Sequence, residues 1–180
     1  MNTDLLRTIN GWSGNSVLDP VMRFAAGQLI FVAFAVVAGL CVLQLRSRHL
    51  APVLLVGTSL VVAFGAGRVA GMLFPEQRPF TKHPELHQLL AHEPGQSFPS
   101  DHALAAFALA FAAIAFLSRR WGAGLVAAAA LIAFSRVYSG VHYPGDVLGS
   151  AAIAGLAVAL VAVASTHIHV PTPTRHRAAA

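Results

Sequence analysis

Apolar residues run in long stretches along this chain, and polar residues collect in the short segments between them. A helix needs about 20 apolar residues to cross the hydrocarbon core of a bilayer. We therefore predict an all-α protein with five membrane-spanning helices. Five stretches without a charged side chain define these helices: Phe24–Leu45, Ala51–Gly67, Ala103–Leu117, Gly122–Phe134 and Val147–Ala164.

The third and fourth stretches contain only 15 and 13 residues. At about 1.5 Å per residue they cover about 20–23 Å, so they cross the membrane only if the helices include their polar ends. Those ends are Ser100 to His102 before the third stretch and Ser135-Arg136 after the fourth. A charge in the hydrocarbon core costs about 2.5–3.5 kcal/mol, so these side chains should face a shared wet cavity at headgroup depth.

The remaining segments are short, and residues 1–180 are predicted to form a single domain. Apolar residues at helical spacing predict an interfacial helix over residues 3–12, with a disordered N-terminus as the alternative. Asn15, Asp19 and Pro20 interrupt the apolar pattern after it. Residues 75–101 are predicted to form a loop, and residues 166–180, which lack an apolar period, a disordered tail.

Composition agrees with an integral membrane protein, since 56% of the residues are hydrophobic, 11% are charged and the mean hydropathy is +0.66. Six arginines follow the first, third and fifth stretches: Arg46, Arg48, Arg119, Arg120, Arg175 and Arg177. With alternating spans they lie on one side, which the positive-inside rule identifies as the cytoplasm. The net charge of +5 therefore calls for no nucleic-acid partner. The polar clusters are expected on the extracytoplasmic face, and the single Cys41 forms no intramolecular disulfide.

The polar cluster between the fourth and fifth stretches contains Arg136, His142 and Asp146. His142 and Asp146 are four residues apart and share one face if the fifth helix begins near His142. A carboxylate that fixes the imidazole tautomer leaves the other ring nitrogen free to attack a phosphorus atom. Arg136 supplies a planar fork of donors for phosphate oxygens. The combination predicts a phosphate-handling site, whereas a histidine alone at a helix start would be read as an interfacial residue.

The other two clusters supply further groups for an anion. Ser100 lies where it would cap the helix that begins at Asp101, and backbone N–H groups at a helix N-terminus bind anions. His102 could donate a proton to a leaving oxygen. A plain capping motif would explain Ser100 and Asp101 but not His102. Arg78, after the second stretch, would on its own be read as an interfacial anchor.

The loop after Arg78 is rich in potential metal ligands: His83, His87, His92 and Glu93. His83 and His87 have the i, i+4 spacing that a zinc site could use. No third ligand is fixed by a regular spacing, and Pro84 and Pro94 indicate an irregular loop. We therefore predict no metal and no other cofactor.

The three clusters resemble the signature of the type 2 phosphatidic acid phosphatase superfamily, which is Lys-x6-Arg-Pro, Pro-Ser-Gly-His and Ser-Arg-x5-His-x3-Asp. The third motif matches completely at Ser135, Arg136, His142 and Asp146. The second carries Asp101 in place of the usual glycine, and the first carries Gly71 in place of the lysine. Within the superfamily these departures are similar to the bacitracin-resistance type of undecaprenyl-diphosphatase.

Residue by residue, the resemblance implies that His142 is the nucleophile, that Asp146 orients it and that His102 is the leaving-group acid. The implied phosphate-binding residues are Arg78, Ser100, Asp101 and Arg136. Either Arg68 or Lys82 could replace the missing lysine, and Arg68 could equally be a buried or snorkelling charge.

The resemblance also implies the function, which is hydrolysis of undecaprenyl diphosphate to undecaprenyl phosphate through a phosphohistidine, in the bacterial cytoplasmic membrane, for cell-wall synthesis. The predicted partners are this lipid and the membrane, and the oligomeric state is left open. Phosphatidate or phosphatidylglycerol phosphate is the alternative substrate. The non-enzymatic alternative is a small transporter or scaffold. Transporters tend to place charges at mid-bilayer, whereas here nearly every charge lies at the end of an apolar stretch, which favours the enzyme.

Overall fold

The computed structural model describes residues 2–167, and this part of the chain is helical, with no β-strand. Within these residues eight α-helices follow one another: α1 Asn2–Asn10, α2 Leu18–Gly27, α3 Leu29–Arg46, α4 Leu50–Leu73, α5 Pro79–Lys82, α6 Asp101–Ala112, α7 Arg119–Tyr138 and α8 Pro144–His167. The chain continues after α6 as one π-helical segment, Ala113–Leu117.

Four of these helices, α3, α4, α7 and α8, are long and apolar enough to cross a membrane. A shorter apolar helix, Asp101–Leu117, is formed by α6 and its π-helical extension. The predicted set of five apolar helices is therefore confirmed. The two short stretches do include their polar ends, since α6 begins at Asp101 and α7 extends to Tyr138.

The boundaries of the helices near the N-terminus differ from those predicted from the sequence. Asp19 and Pro20 do not interrupt a helix but lie in the first turn of α2, where a proline removes no helical hydrogen bond. Asn15 Oδ1 accepts from the N–H groups of residues 17 and 18, at 2.9 and 3.0 Å, and so supports the start of α2. The first membrane helix accordingly begins at Leu29 rather than Phe24.

The two ends of the chain also differ in detail from the prediction. A helix is present where the interfacial helix was expected, at Asn2–Asn10, and its Leu6 is fully buried against the rest of the protein. Residues 166 and 167 of the predicted tail belong to α8. The remainder of that tail, with Arg175 and Arg177, lies outside the described residues.

The central helix is α6, which contacts α3, α4, α7 and α8. Its buried positions are alanine except for Leu104 and Leu109, and small residues allow helix backbones to approach closely. Gly67 of α4 faces α6 so closely that a Cβ there would lie 2.6 Å from Leu104 Cδ2. This packing brings together the end of α4, the start of α6 and the start of α8.

The connections of the bundle divide between its two ends, because consecutive helices joined by short turns run antiparallel. The α3–α4 turn, after Arg46, and the junction before Arg119 lie at one end. The long segment between α4 and α6 and the α7–α8 turn lie at the other end. All three polar clusters of the sequence therefore meet at the same end.

Candidate active site

The C-terminus of α7 determines where His142 lies. Gly140 follows α7 with φ of +71°, in the left-handed region that favours glycine. Its N–H donates to Val137 O at 3.0 Å, and Val141 N–H donates to Arg136 O at 3.3 Å. This pair of bonds is the Schellman arrangement that ends many helices. It reverses the chain immediately before His142.

His142 and Asp146 meet as predicted, although α8 begins at Pro144, two residues after the histidine. His142 Nδ1 lies 3.4 Å from Asp146 Oδ2, and both side chains are buried. With the carboxylate on the Nδ1 side, Nε2 is left for other contacts. Burial lowers the pKa of His142 below its ordinary value, against the opposing effect of Asp146. A neutral imidazole with its lone pair on Nε2 is a competent nucleophile.

Ser97 supports this pair and was not predicted from the sequence. Its hydroxyl is fully buried and donates to Asp146 Oδ2, which also accepts from the Tyr143 N–H at 2.8 Å. Ser97 Oγ lies 3.4 Å from His142 Nδ1 as well. The segment that contains Ser97 has no periodic pattern, and the only signal in the sequence is its position two residues before the second motif.

Two guanidinium groups, those of Arg78 and Arg136, interact with the histidine. Arg78 Nη1 is 3.4 Å from His142 Nε2. Arg136 is only 1% exposed, and it donates to Ala26 O at 3.1 Å and to His92 Nε2 at 2.8 Å. The Nε atoms of both arginines are buried without a hydrogen-bond partner among the described residues. The predicted phosphate ligands Arg78 and Arg136 are thus brought together.

The start of α6 contributes the second motif. Ser100 holds the N-cap position, but its hydroxyl makes no capping bond and is buried without a partner within residues 2–167. The Ser100 N–H donates instead to Ser150 Oγ at 3.0 Å. His102 is half-buried, and its strongest charged neighbour is Arg136. Asp101 is exposed and interacts electrostatically with both arginines of the site.

A cavity of about 330 Å³ adjoins these residues between α4 and the start of α6. Its walls include Arg68, Arg78, Gln96 and Asp101. Lys82 does not line it, because its Nζ lies 3.3 Å from Glu76 Oε1 on the exposed surface. Of the two predicted substitutes for the missing lysine, Arg68 is therefore the one beside the site.

The loop histidines have different partners and do not converge. His83 Nδ1 lies 3.6 Å from Glu85 Oε1, and His92 contacts Arg136. The side chain of His87 is exposed, while its backbone N–H and C=O are bound by the side chain of Asn10. Among residues 2–167 no three His, Cys, Asp or Glu side chains are grouped so that they could hold a metal ion.

Residues 52–169 match the family model described as the PAP2 superfamily. The chain is 36% identical over 155 residues to undecaprenyl-diphosphatase BcrC of Bacillus subtilis (strain 168), an alignment that covers 86% of this chain and 79% of the relative. It is 33% identical over 163 residues to a protein of Bacillus licheniformis named bacitracin transport permease protein BcrC, with coverages of 89% and 79%.

The fold is similar to that of a solved structure. The crystal structure of Aquifex aeolicus LpxE superposes with a TM-score of 0.73 and covers 89% of this chain and 93% of that chain. The two sequences are 23% identical, so this similarity concerns the fold.

Proposed function

This chain is a membrane phosphatase of the PAP2 superfamily, and we propose that it hydrolyses undecaprenyl diphosphate to undecaprenyl phosphate. The observation that carries the chemistry is the buried imidazole of His142, which lies between the Asp146 carboxylate and the Arg78 guanidinium. The substrate is supported by the similarity to a named undecaprenyl-diphosphatase over most of both chains. A third guanidinium, that of Arg68, lies in the adjoining cavity and suits a substrate with two phosphates.

In the first step, His142 Nε2 attacks the terminal phosphorus atom and forms a P–N bond. The P–O bond to the bridging oxygen breaks, and the lipid monophosphate departs. His102 donates a proton to the departing oxygen. Asp146 faces Nδ1 throughout and stabilises the imidazolium character that develops during attack.

In the second step, water attacks the phosphohistidine, the P–N bond breaks, and inorganic phosphate is released. His102, deprotonated in the first step, takes the proton of this water. Both steps place negative charge on the non-bridging oxygens, which Arg78, Arg136 and Ser100 stabilise. These groups are held by the protein before substrate arrives, and such preorganisation is what makes the stabilisation effective.

We place the active site on the extracytoplasmic face of a bacterial cytoplasmic membrane. Arg46 and Arg119 mark the end of the bundle opposite to the site, and the positive-inside rule puts that end in the cytoplasm. The enzyme would then act on carrier lipid released outside the cell during wall synthesis. The orientation of the protein in the membrane is tested separately from its chemistry.

The substrate is tested with purified protein in detergent. Phosphate release from undecaprenyl diphosphate is compared with release from phosphatidate, phosphatidylglycerol phosphate and a water-soluble diphosphate. We expect the highest kcat/KM for the prenyl diphosphate. A preference for either glycerolipid would reassign the substrate, and no release from any of them, with the His142→Ala protein as the blank, would favour the transporter or scaffold.

The orientation is tested by cysteine labelling in a Cys41→Ala background. The Glu93→Cys protein should react with an impermeant thiol reagent on intact spheroplasts. The Ser118→Cys protein, with its cysteine at the other end of the bundle, should react only after lysis. The reverse pattern would place the site in the cytoplasm.

A further inference from the structure

The loop residue His92 contacts the active site although it lies outside all three motifs. Its Nε2 is 2.8 Å from Nη2 of Arg136. A guanidinium has only N–H donors, so His92 Nε2 must be the acceptor in this contact. A neutral imidazole with a lone pair on Nε2 carries its hydrogen on Nδ1. Arg136 therefore fixes the tautomer of His92.

The neutral form that this contact requires agrees with the surroundings of the ring. Burial lowers the pKa of His92, and the nearby Arg136 and Arg78 lower it further. His92 Nδ1 is itself buried and has no hydrogen-bond partner among the described residues. The contact with Arg136 thus leaves a buried N–H donor without an acceptor.

The Nδ1–H group of His92 is one of several buried polar groups that lack a hydrogen-bond partner among the described residues. Buried side-chain nitrogen and oxygen atoms without a partner in the described part of the chain are found in five residues: Arg78, His92, Ser100, Arg136 and Ser139. Three of the five are the proposed phosphate ligands. His92 also interacts electrostatically with His102, the proposed acid. Buried polar groups in proteins nearly always have a partner, so unpaired groups on the three phosphate ligands and on the histidine that contacts Arg136 indicate a ligand that accepts hydrogen bonds.

We propose that His92 is a further phosphate-binding residue, whose Nδ1–H donates to a non-bridging oxygen of the transferred phosphoryl group while Nε2 holds Arg136. The ligand it recognises is a tetrahedral oxyanion, either the phosphoryl group or an analogue of it. The proposal rests on the phosphatase function above and adds a neutral donor from the α4–α6 segment to the two guanidinium groups. It does not depend on which lipid carries the phosphate.

Two substitutions separate the roles of the two ring nitrogens. In His92→Gln, Oε1 can replace Nε2 as the acceptor for Arg136, but no N–H group remains at the δ position. In His92→Asn, Nδ2 stands at the δ position and can donate, whereas the acceptor for Arg136 is lost. His92→Ala removes both groups. His87→Ala is the matched control, because its side chain is exposed and lies on the same segment.

The readout is inhibition of phosphate release by orthovanadate, together with kcat. We expect His92→Ala and His92→Gln to weaken vanadate inhibition about 10-fold or more and to lower kcat about 10- to 100-fold, as for loss of one oxyanion donor. His92→Asn should stay within about threefold of the wild type, since one good donor is retained. The His87→Ala control should match the wild type.

A His92→Gln protein with wild-type vanadate affinity would show that His92 only positions Arg136, which would overturn the proposal. An asparagine variant no better than the alanine variant, or an alanine variant equal to the wild type, would overturn it as well. Vanadate competes at the phosphoryl position whatever the lipid. The test therefore remains valid on any lipid phosphate that the wild type hydrolyses, even if undecaprenyl diphosphate is not the substrate.

Discussion

Ser97→Ala removes the hydroxyl that holds the carboxylate behind the proposed nucleophile. Ser97 is fully buried and donates to Asp146 Oδ2. The same oxygen accepts from the Tyr143 N–H at 2.8 Å and faces His142 Nδ1 at 3.4 Å. The substitution therefore leaves Asp146 with partners but loosens its orientation and, through it, the orientation of the imidazole.

The expected decrease in kcat follows from the strength of one hydrogen bond. A hydrogen bond to a charged group contributes about 1.5–3 kcal/mol, and about 1.4 kcal/mol corresponds to a factor of ten in rate. Loss of the whole contribution from the transition state would lower kcat about 10- to 100-fold. Because the Tyr143 N–H remains on Asp146, we expect the lower end, about 10-fold. KM should be unchanged, since Ser97 contacts the catalytic pair and not the substrate.

Initial rates of phosphate release by purified protein measure this effect. Ser59→Ala is the matched control, because Ser59 is also fully buried but donates within α4, to Leu55 O at 2.8 Å. A Ser97→Ala protein with kcat within about twofold of the wild type would refute the assignment, given the size expected for the bond. An equal loss in Ser59→Ala would show that packing of the bundle, rather than the catalytic pair, accounts for it.

Three further outcomes follow from the site. His142→Ala should abolish both turnover and formation of the phosphoenzyme, and His102→Ala should slow formation of the phosphoenzyme. More than residual activity of His142→Ala in the detergent assay would contradict the mechanism. EDTA should leave the rate intact, because guanidinium groups stabilise the charge that metals stabilise elsewhere; loss of activity that zinc restores would contradict this. Arg68→Ala should lower kcat/KM for the prenyl diphosphate about 10-fold, as for one charged contact, and Lys82→Ala should not; the reverse would exchange their roles.

The parts of the site that could be predicted from the sequence are those with a regular period. His142 and Asp146 are four residues apart and meet as predicted, although α8 begins at Pro144 and the turn before it, not the helix, holds the histidine. Arg78, Ser100 and Arg136 lie next to the ends of apolar stretches. Because consecutive helices run antiparallel, the end of one helix and the start of the next lie at the same end of the bundle. Hydrophobic periodicity and the direction of each helix are sufficient to predict that Arg78, Ser100 and Arg136 lie at the same end of the bundle.

The residues that were missed lie in irregular segments. Ser97 and His92 reach the site through the conformation of the α4–α6 segment, which no spacing rule describes. Asn10 is a further example, since its side chain bonds both to Tyr138 O at 2.8 Å and to the backbone of His87. Such a contact joins α1, the end of α7 and the loop across more than a hundred residues of chain, and local pattern carries no information about it.

The glycine in place of the family lysine has a physical explanation in the packing of α4. A Cβ at Gly71 would lie 3.0 Å from Phe98 O and 3.5 Å from Pro99 Cδ, so the second motif lies almost directly on the helix backbone. A lysine there would press its Cβ against the Phe98 carbonyl, which would have to move slightly. Arg68, three residues earlier on the same helix, lines the cavity beside Arg78 and provides a cation without disturbing that contact. We therefore propose that Arg68, about one helical turn earlier on α4, takes the place of the family lysine, in agreement with its position in the wall of the cavity.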